Sequence, residues 1–231
     1  MPSIRAPHPL PDAPVDPAPP FSAVLRERSR HLHQRAEQSD FVSALLNGRV
    51  DRTGYVAMIA QHLCVYEALE SVAETLRDDP VAGDFVSEQL TRVPSIRADL
   101  AHLTGSPSAD GLAVLDSTRR YAERIRANEH WPAGFVAHHY TRYLGDLSGG
   151  LAIGAVLARV YGFAPGGDGV RFYRFERIPH PAAFKNDYRA RLDAVPWSVA
   201  ERDRVVDEVL VAYELNTEIF AELAGTYCPG G

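Results

Sequence analysis

A chain of 231 residues, 45% of them hydrophobic, suffices for one large domain with a packed core, and no internal repeat divides it. A formal net charge of −6 argues against general attraction to nucleic acid. The two cysteines, Cys64 and Cys228, form neither a CxxC pair nor a metal-finger spacing, so a disulfide framework is not expected and a reducing cytoplasm is the default.

Residues 1–20 carry eight prolines, which fix φ and lack an amide donor, so this stretch reads as an extended, disordered tail. It shows neither the charged start nor the apolar run of a signal peptide. The folded domain is expected over 21–225, with 226–231 as a flexible end. Residues 21–37 read as an amphipathic helix with Ser22 as its N-cap. A long amphipathic helix follows over 51–76, stopped by Asp78, Asp79 and Pro80. Shorter helices are expected over 91–105 and 108–129. Residues 132–162 are long and apolar, with glycines in the middle, and helices over 179–195 and 198–225 complete the set. Only residues 170–175 alternate weakly like a strand. The expected class is all-α, a single compact array of helices. No uninterrupted apolar stretch approaches the about 18 residues of a membrane span.

Three constellations carry possible chemistry. Arg26, Arg30 and His33 are spaced i, i+4 and i+7, so they share one helix face. That stripe is either a solvated basic face or a metal ligand flanked by cations that pair with a ligand's carboxylates. Lys185 and Arg189 form a second i, i+4 basic pair, common on surfaces, that becomes a pocket rim only if the first stripe lies near. Gly145 and Gly149 leave one face of the long apolar helix without side chains, suited either to close helix packing or to a flat ligand. Interior glycines each cost about 1 kcal/mol relative to alanine and loosen the helix. Asp146 stands among them, either paired with Arg142 four residues earlier or ordering water in a pocket. His138 is a rival ligand or distal base, and His62 reads as a core or surface residue.

The stretch "VAHHYTRYLGDLSGG" resembles the signature of the heme oxygenases, whose core motif is "RYLGDLSGG". "LRERSRHLHQRAE" looks like their first helix, and "AAFKNDYRAR" and "AYELNTEIFAEL" like their last two. These matches run in the family's order from about Leu25 to Leu223. The resemblance implies the heme oxygenase fold, with heme b held between the first helix and the glycine-kinked helix. It implies His33, not His31, as the axial iron ligand, with Glu37 as its hydrogen-bonding partner. Arg26, Arg30, Lys185, Arg189 and Tyr140 match positions that bind the heme propionates, and Ser148 and Tyr213 join the heme-binding set. Asp146 matches the distal carboxylate that orders water, with Tyr66, Arg142 and Asn216 in its network. Gly145 and Gly149 let the helix backbone lie against the heme face, so that dioxygen tilts toward one meso carbon.

The activity so implied is cleavage of heme, at once cofactor and substrate, to biliverdin, carbon monoxide and ferrous iron. Dioxygen is consumed, and ring opening at the α-meso position is the family default. The sequence shows no flavin or phosphate-cradling loop, so the electrons are expected from a separate reductase or ferredoxin. The last residues, "LAGTYCPGG", lack the hydrophobic tail of membrane-bound relatives, which fits a soluble, bacterial-type, cytoplasmic enzyme. Two other readings compete: a heme-binding or heme-transfer protein without turnover, and a fold relative with another substrate, such as a thiamin-degrading enzyme. A binder needs only His33 and the rim; a thiamin-degrading relative needs neither the basic rim nor the distal glycines.

Overall fold

A computed structural model describes residues 19–228, within which helices joined by turns and loops make up the fold and no strand occurs. Nine α-helices appear among them: α1 Phe21–Glu37, α2 Asp40–Leu46, α3 Arg52–Thr75, α4 Val93–Thr104, α5 Asp116–Ala127, α6 Pro132–His139, α7 Gly145–Tyr161, α8 Pro181–Ala194 and α9 Val199–Tyr227. Their ends follow local chemistry. Asp51 and Ser198 accept hydrogen bonds from the Gly54 and Glu201 amides (2.9 and 3.2 Å) to cap α3 and α9. Gly105 and Gly162 end α4 and α7 with φ of 82° and 73°, a left-handed geometry that favours glycine.

α3 is the central element, buried along most of its length and packed against α4, α5, α6 and α9. α9 lies along α1, α2, α5 and α6, so the first and last helices of the domain are neighbours. The start of α1 is tied down by α8: the Ser22 amide and hydroxyl both donate to the Asp193 carboxylate (2.7 and 3.0 Å). Ser22 is therefore not the N-cap. Pro20, two residues earlier, occupies that position, and the serine's hydroxyl is engaged in tertiary structure.

Other expectations need correction. α2 was not anticipated, because seven residues are too short to show a helical period. The helix expected over 108–129 starts only at Asp116. Before it the chain is a loop pinned by Gln61, which donates to the Ala113 carbonyl and accepts from the Leu115 amide, each at 3.0 Å. The stretch 170–175, which alternates weakly like a strand, holds a 3-10 turn, Arg171–Tyr173. The buried Asp99 carboxylate of α4 accepts from the amides of Gly169, Arg171 and Phe172 at 2.8–2.9 Å, which meets the hydrogen-bonding need a strand partner would otherwise meet. α9 continues two residues past 225, and Tyr227 packs against Gly54, so Thr226 and Tyr227 belong to the folded domain. The proline-rich residues 1–18 and residues 229–231 lie outside the described residues.

α6 and α7 are joined by a π turn, Tyr140–Leu144, into one helical stretch from Pro132 to Tyr161. Though Arg142 and Asp146 interrupt it, this stretch holds an 18-residue window of mean hydropathy 1.2, long and apolar enough by length and composition to cross a membrane. Arg142 and Asp146 hydrogen-bond to α9 and α3, which ties the middle of the stretch to the rest of the fold, and 39% of the apolar window is buried.

Candidate active site

α1, α2, α3, α7, α9 and the Arg171–Tyr173 turn line an open cleft. Its walls are mostly apolar, from Val42, Leu45, Met58, Ile153, Phe172 and Phe220. His33 stands on the α1 wall, and Gly145, Gly149 and Asp146 on the α7 wall.

On the α1 side, His33 is half-exposed toward the cleft, whereas His31 is solvent-exposed and does not line it. The His33 ring meets Tyr213 of α9 edge-on at 5.8 Å. Its Nδ1 lies 3.6 Å from Glu37 Oε2, one turn later, which leaves Nε2 as the nitrogen available to a metal.

The α7 wall owes its shape to missing side chains. A Cβ added at Gly145 would meet nothing within 4 Å, and one at Gly149 only Ile153 Cδ1 at 3.6 Å. Gly154 behaves differently, since its Cβ would fall 2.8 Å from Tyr173 Cβ, and Gly150 too faces Tyr173. The glycines thus divide between an open ligand face and close packing on the 3-10 turn. A π turn lies just before Gly145, where the hydrogen-bond ladder changes step.

A polar network lies behind this wall. The Tyr66 hydroxyl donates to Asp146 Oδ2, and Arg142 donates to Asn216 Oδ1. The Arg142 guanidinium sits 5.0 Å above the Tyr66 ring. The Arg142 guanidinium donates to Asn216, and the simple i, i+4 pair with Asp146 is not formed. Burial raises the Asp146 carboxyl above the ordinary carboxylate range, while Arg142, the Tyr66 hydrogen bond and Arg92 draw it back down. Burial also pushes the Tyr66 phenol well up, leaving it a hydrogen-bond donor. Arg142 is disfavoured by burial, yet facing Tyr66, Asp146 and Tyr121 it is held firmly protonated. The arrangement can bind a flat, metal-bearing ligand, and it presents a carboxylate fixed on one oxygen to that ligand's far side.

A second cleft, continuous with the first through His33, Gly145 and Tyr213, is lined by Arg26, Ser29, Arg30, Tyr140, Ser148 and Arg189. Lys185 Nζ donates to Ser148 Oγ at 3.0 Å, so the two basic pairs of the sequence converge on one rim. Burial raises the Tyr140 phenol, and Arg189 and Arg26 lower it again, which places these three groups together electrostatically. Such a rim suits anionic substituents.

The rival histidine is elsewhere. His138 is fully buried, its Nε2 2.7 Å from Glu208, which also receives Arg124 and Asn128. Burial opposes the Glu208 charge, but these hydrogen bonds hold its pKa at about 2, so His138 is a neutral donor inside the scaffold. Sequence reasoning did not single out Thr141, Phe172 and Tyr173 as cleft residues, and it left His62 as a bland one. Phe172 and Tyr173 come from the stretch read as a strand, and His62 lies exactly one turn before Tyr66 on α3, a spacing that could have flagged it.

Comparison with known proteins gives the family and the fold. The heme oxygenase family model matches residues 19–222. Heme oxygenase 1 of Rattus norvegicus is 34% identical over 206 residues, covering 88% of this chain and 71% of the relative. Heme oxygenase 1 of Homo sapiens is 33% identical over 205 residues, with the same coverage. Among solved structures, heme oxygenase-1 of the cyanobacterium Synechocystis, in complex with heme, superimposes with a TM-score of 0.85 at 31% identity, covering 91% of this chain and 95% of that one. The heme oxygenase of Leptospira interrogans gives a TM-score of 0.83 at 31% identity, covering 88% and 100%.

Proposed function

Because the chain belongs to the heme oxygenase family, we infer that it binds heme in the cleft between α1 and α7 and degrades it to biliverdin, carbon monoxide and ferrous iron. The observation that carries the reading is the convergence in one cleft of an imidazole, a bare glycine wall and a tyrosine-held carboxylate. The residues fit the ligand: open space lies where a Cβ would project at Gly145 and Gly149, and a cationic rim that would hold carboxylates adjoins the cleft. Heme, when bound, supplies both the iron at which dioxygen is reduced and the ring that is opened.

The chain's own groups divide the work. His33 ligates through Nε2, with Glu37 behind Nδ1 fixing the tautomer and ring orientation. Gly145 and Gly149 admit the ring close to the helix backbone. Arg26, Arg30, Lys185, Arg189 and Tyr140 pair with the propionates, and Ser148 steadies Lys185. Tyr213 packs against the His33 ring. Asp146, held on one oxygen by Tyr66, holds water on the other and passes a proton toward the ligand. Arg142, fixed by Asn216, opposes the upward shift that burial imposes on that carboxyl. Electrons come from a separate reductase or ferredoxin, and the reducing cytoplasm suits the free thiols of Cys64 and Cys228.

The glycine wall and Asp146 favour turnover over mere heme carriage, for which His33 and the rim would be enough. Adding hemin and a reductant in air tests this. Loss of the Soret band with growth of a green pigment is expected; a stable heme spectrum would select the carrier.

A further inference from the structure

Among the polar side chains that line the cleft, the mechanism above leaves His62, Thr141 and Tyr173 idle, and the Thr141 hydroxyl is already engaged by the Ala137 carbonyl. His62 projects from α3 one turn before Tyr66, so both reach the same wall. Its ring stacks on Phe172 (centroids 4.9 Å, planes 20° apart) and meets Tyr66 edge-on at 6.5 Å. Both neighbours are themselves fixed, Phe172 through its amide to Asp99 and Tyr66 through its hydroxyl to Asp146. The imidazole therefore has a defined orientation. It lines the cleft together with Thr141, Arg142 and Asp146, and only 8% of the residue is exposed.

Its Nδ1 is buried and makes no hydrogen bond among the described residues. A buried polar nitrogen without a partner is costly, and an apolar side chain of similar size would fill the same space without that cost. A cavity walled by an imidazole, a guanidinium and a carboxylate offers the two to four polar partners that an ordered water needs. We propose that His62 is a further positioning residue of the distal pocket, whose imidazole holds ordered water in the same cavity as Asp146 and Arg142. The proposal rests on the heme oxygenase reading, since that reading supplies the proton-consuming chemistry the water serves.

Burial and the nearby Arg142 charge hold His62 well below the ordinary histidine range, so its ring is neutral. A neutral imidazole has one donor and one acceptor nitrogen, so it can take either role toward a water. An imidazolium offers donors only. Asp146 and His62 then anchor the cavity water from α7 and α3, two helices joined by the Tyr66–Asp146 bond.

His62→Leu and His62→Gln, made in the full chain and loaded with hemin, test the assignment. His62→Leu is expected to keep the wild-type Soret position and a hemin affinity within about threefold of wild type. The midpoint of the alkaline transition of its ferric spectrum should move by about half a pH unit or more. Its biliverdin yield per turnover should fall severalfold. His62→Gln, which can still hold water, should recover most of the midpoint and the yield. An unchanged midpoint in His62→Leu overturns the proposal, as do equal shifts in both variants, because packing alone would then explain them. A wild-type chain that fails to take up hemin through His33 overturns the heme reading and this proposal with it. Normal wild-type turnover with a silent His62→Leu removes only the latter.

Discussion

The two walls of the cleft are built on opposite plans. The α1 wall presents its functional groups from a single helix: Arg26, Arg30 and His33 on one stripe, the arginines exposed and His33 half-exposed. The opposite wall assembles Tyr66 from α3, Arg142 and Asp146 from the long helical stretch, and Asn216 from α9, interlocked by hydrogen bonds. Capture of a charged ligand tolerates loose, solvated cations whose individual contributions are small. Control of water and protons needs groups whose positions are set before the ligand arrives.

That contrast orders the expected consequences of mutation. The largest falls on His33, the one α1 residue with no substitute. His33→Ala should lose the histidine-ligated heme spectrum and at least the about 10–100-fold that loss of a ligand's supporting group alone costs, with partial rescue by added imidazole. A wild-type spectrum in His33→Ala, with loss instead in His31→Ala, would reassign the ligand.

Next is Asp146, where a change on the far wall should spare binding and damage chemistry. Asp146→Ala should take up hemin normally yet give little biliverdin in a single turnover with hydrogen peroxide. Asp146→Asn, which can still hold water, should retain part of the yield. The alanine variant also leaves the buried Tyr66 hydroxyl unpaired, which should lower stability by about 1–3 kcal/mol in a denaturant titration. Normal biliverdin from Asp146→Ala would remove the carboxylate from the mechanism.

Acid should attack the far wall and its scaffold before it affects the exposed rim. Burial holds His62, His138 and His139 below their unfolded value, His139 at about 3. The unfolded chain therefore binds more protons as pH falls below about 6.5, and stability drops by up to about 1.4 kcal/mol per pH unit for each histidine. Glu208, held at about 2, adds a further loss from about pH 4.5 downward. Denaturant midpoints of the heme-free protein between pH 7 and 4 would show the slope, and a flat profile would contradict buried neutral imidazoles.

A smaller effect separates the glycines. Gly145→Ala should stabilise the heme-free protein by about 0.5–1 kcal/mol, because its Cβ enters open space and the helix gains. The same methyl should weaken hemin binding severalfold. Gly154→Ala should do the reverse to stability, costing about 1–3 kcal/mol against the Tyr173 side chain. Melting curves and hemin titrations of the two variants read both halves of this contrast.

The smallest effect is expected at the rim, where the cations share their task. Reversing Lys185 and Arg189 to Glu should weaken hemin binding a few-fold, increasingly so at low salt, and change the mixture of biliverdin isomers. Unchanged affinity and product pattern would take both residues out of the site.

How much of this was legible in the sequence follows from the kind of spacing each feature uses. The i, i+4, i+7 run of Arg26, Arg30 and His33 and the glycine spacing at Gly145 and Gly149 are properties of one helix, and helical periodicity displays them directly. The family motif "RYLGDLSGG" likewise carries the fold and the activity class in contiguous residues. Local pattern failed where a distant group decided the outcome. Asp99, some seventy residues away, turns 170–175 from an apparent strand into a 3-10 turn, and Gln61 holds 113–115 out of the helix that propensity favoured. Whether Arg142 pairs with Asp146 or with Asn216, and whether Lys185 and Arg189 meet the α1 stripe, depended on how α7, α8 and α9 pack. The division between ligand-facing Gly145 and packing Gly154 came from the position of Tyr173, and the polarity of the cavity around His62 from the meeting of α3 with the long helical stretch. Periodicity places a side chain on a face of its own helix; only packing brings another element against that face, and with it the burial and the partners that determine what the side chain can do.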